Sequence, residues 1–304
     1  MRLMLLLLLL LLNLTLSAPV VSAEGRSWIG TARIFNNDFL GDGRDRWRSG
    51  SYTYSHLRGR EPYTGVPQEF GDILEYRFHS ESISASGGSA FPGDRPYVGA
   101  LSFGILSHFG EDAMRYMHGI DVTAIGPQTG ISNYQEGFHN RYGLSQPPYV
   151  NQQLDDAIWL TAHSAAARHI QLSENVSLRP FAAAQYGSEN LVRLGFDVRF
   201  AGFGHDALLV RDTVTGHLSP ATMSEGTGLS LVAGADIAFV ASSNYLPAAQ
   251  GFQVRQDRAR ARVGLGYQFS RGRSLFYGAT YLSPEFEGQS GGQVLGSLRL
   301  NFTF

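Results

Sequence analysis

The 304-residue sequence has no cysteine, and only 16% of its residues are charged. Without thiols there is no disulfide framework and no thiolate chemistry. Their absence also suits passage through an oxidising compartment. A formal net charge of −2 leaves no strongly basic face of the kind nucleic acid demands. Beyond residue 12 no apolar run approaches the roughly 20 residues a membrane helix needs. Any residence in a membrane must therefore come from strands.

At the start of the chain, Arg2 precedes an almost pure leucine run over residues 3–12. Asn13, Thr15, Ser17 and Pro19 then interrupt it, and Val21, Ser22 and Ala23 form a small-residue cleavage signal. A positive start, a short apolar stretch and small residues describe an export signal, so residues 1–23 are expected to be removed. The remainder, 24–304, reads as one domain.

All 36 glycines fall in that remainder, and so do the aromatics that make up 12% of the whole chain. It alternates with a period of two. Val192, Leu194, Phe196, Val198 and Phe200 oppose Arg193, Asp197 and Arg199, and Ala259, Ala261, Val263, Leu265, Tyr267 and Phe269 oppose Arg258, Arg260, Arg262, Gln268 and Ser270. The same alternation runs through 74–81 and 293–304. Each run reaches about ten residues, the span a tilted strand needs to cross a bilayer. Charge recurs on one face, while the other carries almost none, as expected when apolar side chains meet lipid and polar ones line a lumen. A soluble sandwich would bury the apolar face instead.

The expected fold is therefore an all-β, antiparallel transmembrane barrel of about twelve strands in the outer membrane. The strands are 27–36, 47–58, 71–83, 96–109, 112–126, 154–169, 175–187, 189–202, 228–243, 256–270, 273–283 and 293–304. With both ends in the periplasm, the outward connections are 37–46, 84–95, 127–153, a turn near 188, 244–255 and 284–292. The inward connections 59–70 and 203–227 are longer than such barrels usually show.

Two outward loops carry groups suited to chemistry. Residues 36–46 concentrate Asn, Asp and Gly, which serve equally as hard oxygen ligands for calcium and as ordinary turn residues. Residues 132–142 fit a short helix with Tyr134, Phe138 and Tyr142 in one row and Gln135 and His139 in the next. A histidine beside a carboxylate and a hard cation can activate water against an ester; an interfacial aromatic helix with an incidental histidine has the same pattern. The inward arginines could line an anion pathway, but pairing with Glu75, Asp197 and Asp236 across a filled lumen is favoured.

Several segments resemble the lipid A 3′-O-deacylase (LpxR-type) family of the outer membrane. Asn37-Asp38 followed by Asp45-Arg46-Trp47-Arg48-Ser49-Gly50 resembles its N-D…D-R-x-Y-T-x-G opening, and Asp94-Arg95-Pro96-Tyr97-Val98-Gly99 resembles its D-R-P-Y-A-G. Gly126-Pro127, Gln135-x-x-x-His139 and Asn151-Gln152 resemble its long loop, and Glu285-Phe286-Glu287-Gly288-Gln289 its last one. The matches run in order from residue 37 to the end. The resemblance implies calcium-assisted hydrolysis of the ester that holds the 3′-linked acyloxyacyl group. It assigns His139 as general base, Asn37 and Asp38 to calcium and catalysis, and Ser49 to the catalytic set. Arg95, Tyr97 and Tyr149 would contact the lipid A of lipopolysaccharide. A final strand ending in Phe304 would be the contact for the barrel-assembly machinery. Ser145 stands where the family has an acidic residue, Pro148-Tyr149 replaces Gly-Trp, and Arg48 replaces an aromatic. The alternatives are a family member that binds lipid A without catalysis, and a small channel.

Overall fold

The computed structural model describes residues 25–60, 65, 68–86, 94–144, 146, 152–201 and 207–302, the last without its side chain. The export signal at 1–23, Ser145, Tyr149 and Phe304 lie outside these residues.

The strands are β1 (Arg26–Asn37), β2 (Trp47–Arg60), β3 (Ile73–Ser84), β4 (Val98–Glu111), β5 (Met114–Ile125), β6 (Ala157–Arg168), β7 (Ile170–Ser173), β8 (Val176–Tyr186), β9 (Glu189–Phe200), β10 (Leu209–Arg211), β11 (Leu218–Pro220), β12 (Gly228–Ser243), β13 (Asp257–Ser270), β14 (Arg273–Leu282) and β15 (Gln293–Phe302). One α-helix, α1 (Ile131–Tyr142), lies in the third outward connection. Twelve long strands pair antiparallel with their neighbours, and the β6–β8 ladder from Ala162↔Tyr186 to Ala167↔Phe181 closes the cylinder. Both β6 and β7 pair with β8, so the strand expected at 154–169 continues past a break at His169.

Alternation sorts the side chains as the lipid argument requires. On β13, Arg258, Arg260 and Arg262 are buried, while Val263, Leu265, Tyr267 and Phe269 are exposed on the outer wall. The buried arginines meet carboxylates inside the lumen, reaching them from the same or nearby strands and from β10. Asp236 accepts from Arg260 Nε at 2.9 Å, from Arg262 NH1 at 2.6 Å and from Arg193, while Asp197 takes Arg211 NH2 at 2.6 Å and Arg262 Nε at 3.0 Å. Glu75 accepts Arg77 Nε at 2.7 Å and lies 2.6 Å from His108 Nε2. The chain has no lysine; all 24 of its basic residues other than histidine are arginine. The planar arginine fork can satisfy a buried carboxylate through two parallel bonds, which an ammonium cannot.

The long inward connection is not a periplasmic loop. From residue 207 it turns up into the lumen as the β10–β11 hairpin. Leu208, Val210 and Ala221 pack against Ala32, Leu57 and Ile73 of the barrel wall, and higher up Val214 packs with Leu282 and Leu295. Burial of this apolar surface holds the hairpin in place. Its approach to β1 needs glycine, because a Cβ at Gly30 would stand 1.8 Å from the Ala221 carbonyl oxygen. Near the tip, the Asp212 carboxylate accepts from Asn36 Nδ2 at 3.1 Å, Thr53 Oγ1 at 2.9 Å and Thr215 Oγ1 at 2.7 Å. The plug thus reaches the residue next to Asn37, directly beneath the outer rim.

Candidate active site

The outer ends of β1 and β2 are joined by residues 38–46, folded tightly onto the rim. The backbone N–H groups of Gly41 and Gly43 donate to the Asp38 carbonyl, and Asp38 N–H donates to the Ser49 carbonyl. Asn37 sets the turn: its Oδ1 accepts Phe39 N–H at 2.9 Å while its Nδ2 donates to the Ser49 carbonyl at 3.1 Å. The loop presses on β15 where both chains carry glycine. A Cβ at Gly296 would lie 2.3 Å from the Leu40 carbonyl oxygen.

A bulge follows at Ser49, between Arg48↔Ile83 and Gly50↔Ser82. Bulges re-aim side chains. Here Arg48 and Ser49 both serve the interior: Arg48 donates to Glu285 and Glu81 in the lumen, and Ser49 Oγ donates to Asp45 at 2.5 Å. Trp47, buried at the head of the bulge, has a φ of 51°, an unusual backbone for a residue with a Cβ. Its indole donates to Asp94 at 3.3 Å, and the Arg46 guanidinium stacks 4.1 Å from its ring.

Helix α1 covers this loop. It begins after Gly130 and ends where Gly143, in the left-handed region, donates its N–H to the His139 carbonyl. Ser132 and His139 are buried beneath it, while Tyr134, Phe138 and Tyr142 form an exposed row on the other side. The helix therefore lays an aromatic stripe at the membrane boundary, where such rings favour the interface. It turns one histidine inward.

His139 Nε2 stands 3.6 Å from the Asp45 carboxylate. Gln135, one turn earlier, completes the group. Its Nε2 lies 3.4 Å from Ser49 Oγ and 3.5 Å from Asp45, and its Oε1 accepts the Tyr97 hydroxyl at 2.8 Å together with Ser82 Oγ. Burial pushes the Tyr97 hydroxyl up to about 12, so it acts as a donor. Tyr97 is fixed by its own backbone, which bonds to Gln152 and Leu154.

Asp38 lies buried beside this group. Its Oδ2 accepts Arg46 N–H at 2.8 Å, and among the described residues no basic side chain forms an ion pair with it. Burial, reinforced by Asp45 and Asp42, pushes its carboxyl up to about 8. Asp42 is occupied elsewhere, 3.0 Å from Arg46 NH2.

Arg95 is fully buried one layer down, where it donates to Glu285 instead of facing outward. Against the cost of burying that carboxyl, Arg48, Arg95 and Arg258 hold Glu285 well below the usual carboxylate range. The structure thus gathers Asn37, Asp38, Ser49, Tyr97 and His139 at one rim and sets Arg95 in the floor beneath them. The choice of site residues from the sequence passed over Asp45 and Gln135. Both lay in motifs already noted, and Gln135 shares the helix face of His139. A Gly-x-Ser-x-Gly string does occur, at 288–292, but in the connection between β14 and β15 and not on the strand-to-helix turn that gives the motif its meaning.

A sealed cylinder with an apolar wall, a plugged lumen and a polar cluster under an outward helix defines an outer-membrane β-barrel. A family model described as outer membrane protein LpxR matches residues 6–304, and the chain belongs to that family, the outer-membrane lipid A deacylases to which the motifs pointed. LpxR from Salmonella typhimurium has a similar fold, with a TM-score of 0.73 at 18% identity over 90% of this chain and 100% of that one. A NanC porin structure aligns over 91% of this chain and 100% of its own at a TM-score of 0.43 and 6% identity. Among curated proteins no match is found. The protein resides in the cell outer membrane.

Proposed function

We propose that this chain itself removes the 3′-linked acyloxyacyl group of lipid A by ester hydrolysis at its outer rim. The observation that carries this reading is the His139–Asp45–Ser49–Gln135 cluster, placed where lipid of the outer leaflet can enter sideways. His139 takes a proton from water, and the resulting hydroxide adds to the ester carbonyl. The imidazolium so formed faces the Asp45 carboxylate 3.6 Å away. That separation is too long for a hydrogen bond, but unliganded sites are often loose and tighten around substrate. Gln135, whose contacts to Ser49 and Asp45 lie at the edge of hydrogen bonding, has N–H capacity for the oxygen that gains charge. The carbon–oxygen bond to the sugar then breaks, and the imidazolium returns its proton to the sugar oxygen.

Calcium is part of this proposal. The donors suit it in kind: carboxylates at Asp38 and Asp45, the Ser49 hydroxyl, and an Asp38 carboxyl whose charge is disfavoured until a cation is near. Among the described residues no three His, Asp or Glu side chains form a ready metal site, so backbone oxygens and water would complete the shell. Bound there, the ion would supply Lewis-acid stabilisation of the developing charge. Asn37 orients the loop through its turn bonds. Arg95 and Tyr97 support the site from below, while Tyr149 is proposed to meet the substrate directly. Docking of the final strand, through Phe304, to the barrel-assembly machinery is proposed with it.

Ser145, standing where the family has an acidic residue, motivates a second reading, a barrel that binds lipid A without cutting it. Mass spectrometry of lipid A from cells with and without the chain, in calcium, separates the two. Loss of the acyloxyacyl mass that disappears with His139→Ala supports catalysis; unchanged lipid A rejects it. The plug in the lumen weighs against a channel.

A further inference from the structure

On the periplasmic side of the plug lies a cavity of about 180 Å³. One water needs only roughly 10–15 Å³ of such space. The walls carry Arg115, Arg179, Arg262 and Arg299 and, among the described residues, one carboxylate, Asp197. That carboxylate is already committed to Arg211 and Arg262. Among the described residues, neither Arg115, Arg179 nor Arg299 forms an ion pair. Arg115 spends its NH1 on the carbonyls of Asp112 and Met114, and Arg299 its NH1 on Leu218 and Ser219. The Nε of Arg179 and the Nε of Arg299 are buried without a hydrogen-bond partner, and Arg299 is only 6% exposed. Elsewhere in this lumen arginines meet Asp or Glu. Here, among the described residues, no carboxylate pairs with Arg115, Arg179 or Arg299, and the surrounding low-dielectric wall screens their charge poorly.

We infer that this cavity binds a tetrahedral oxyanion of the phosphate class, entering from the periplasm. Arg179 stands on β8 and Arg299 on β15, separated by four strands around the cylinder, so their guanidinium groups approach the cavity from different walls. A phosphate offers four oxygens to such forks and neutralises charge that no carboxylate among the described residues pairs with. Gly65 and His169, both at the periplasmic end, line the cavity, so an ion need not pass the plug. The site is separate from the rim chemistry.

The test uses the mature protein refolded in a zwitterionic detergent and titrated with inorganic phosphate by calorimetry. The expected result is saturable binding, displaced by sulfate but not by equal chloride, and weakened about tenfold or more in Arg179→Gln and in Arg299→Gln. Heat-modifiable migration on gels reports that each variant remains a closed barrel. Arg179→Lys keeps the charge and loses the fork, and it should bind weakly. If Arg299→Gln fails to fold, the wild-type and Arg179 titrations decide. No saturable binding by the wild type, or undiminished binding in the Arg179 variants, overturns the site. Equal competition by chloride overturns the oxyanion class.

Discussion

The mid-lumen and the outer rim hold similar side chains in opposite ways. Around Asp236, three arginines close on one carboxylate, with Arg260 and Arg262 at 2.9 and 2.6 Å. At the rim, His139 stops 3.6 Å short of Asp45, and Gln135 reaches only to 3.4 and 3.5 Å. A cluster that only supports the wall gains by satisfying every donor, because each unpaired buried group costs free energy. Under the proposed function, the Gln135 amide at the rim keeps N–H capacity for a substrate.

That contrast can be broken first at the rim. Replacing His139 with Ala should lower deacylation by roughly 10²–10⁴-fold, the usual contribution of a general base, while thermal unfolding stays unchanged. Chelation of calcium should abolish turnover without moving that unfolding transition. Turnover that survives both treatments would leave the rim without its assigned chemistry. In the lumen the sign reverses. Asp236→Ala removes the carboxylate shared by Arg193, Arg260 and Arg262, of which Arg262 keeps Asp197, and should cost about 3–5 kcal/mol of stability, read as a lower urea midpoint, with the rate per folded molecule preserved. Gln135→Ala should reduce turnover by about 10²-fold if its amide serves the oxyanion. An effect on unfolding alone would place it with the supporting groups. The smallest effect belongs to Gly296→Ala, which pushes on the Leu40 carbonyl. It should slow turnover about tenfold through a misplaced loop, with heat-modifiability retained.

Much of the barrel was legible because its signal is local. Arg258, Arg260 and Arg262 alternate with apolar neighbours over a few residues, and that alone states which face meets lipid. All twelve long strands were read with boundaries close to those observed. The plug escaped because 207–222 offers only two three-residue strands, and its destination depends on partners such as Ala32 and Leu282 that are remote in the chain. The extra length of 203–227 was its single trace. At the site, His139 and the 37–38 turn were readable from motif and loop chemistry. The pairing of Asp45 with His139, and the turning of Arg95 down onto Glu285, were not.

Taken alone, the order of residues decided the topology and the polarity of the two faces, since period-two patterning and turn residues act within a strand's length. Closure of the cylinder decided the rest. Only when β6 meets β8 do the 38–46 turn and α1 share one mouth, and only a lumen of that width admits a hairpin. Contacts between distant segments come from that geometry, which no local pattern encodes.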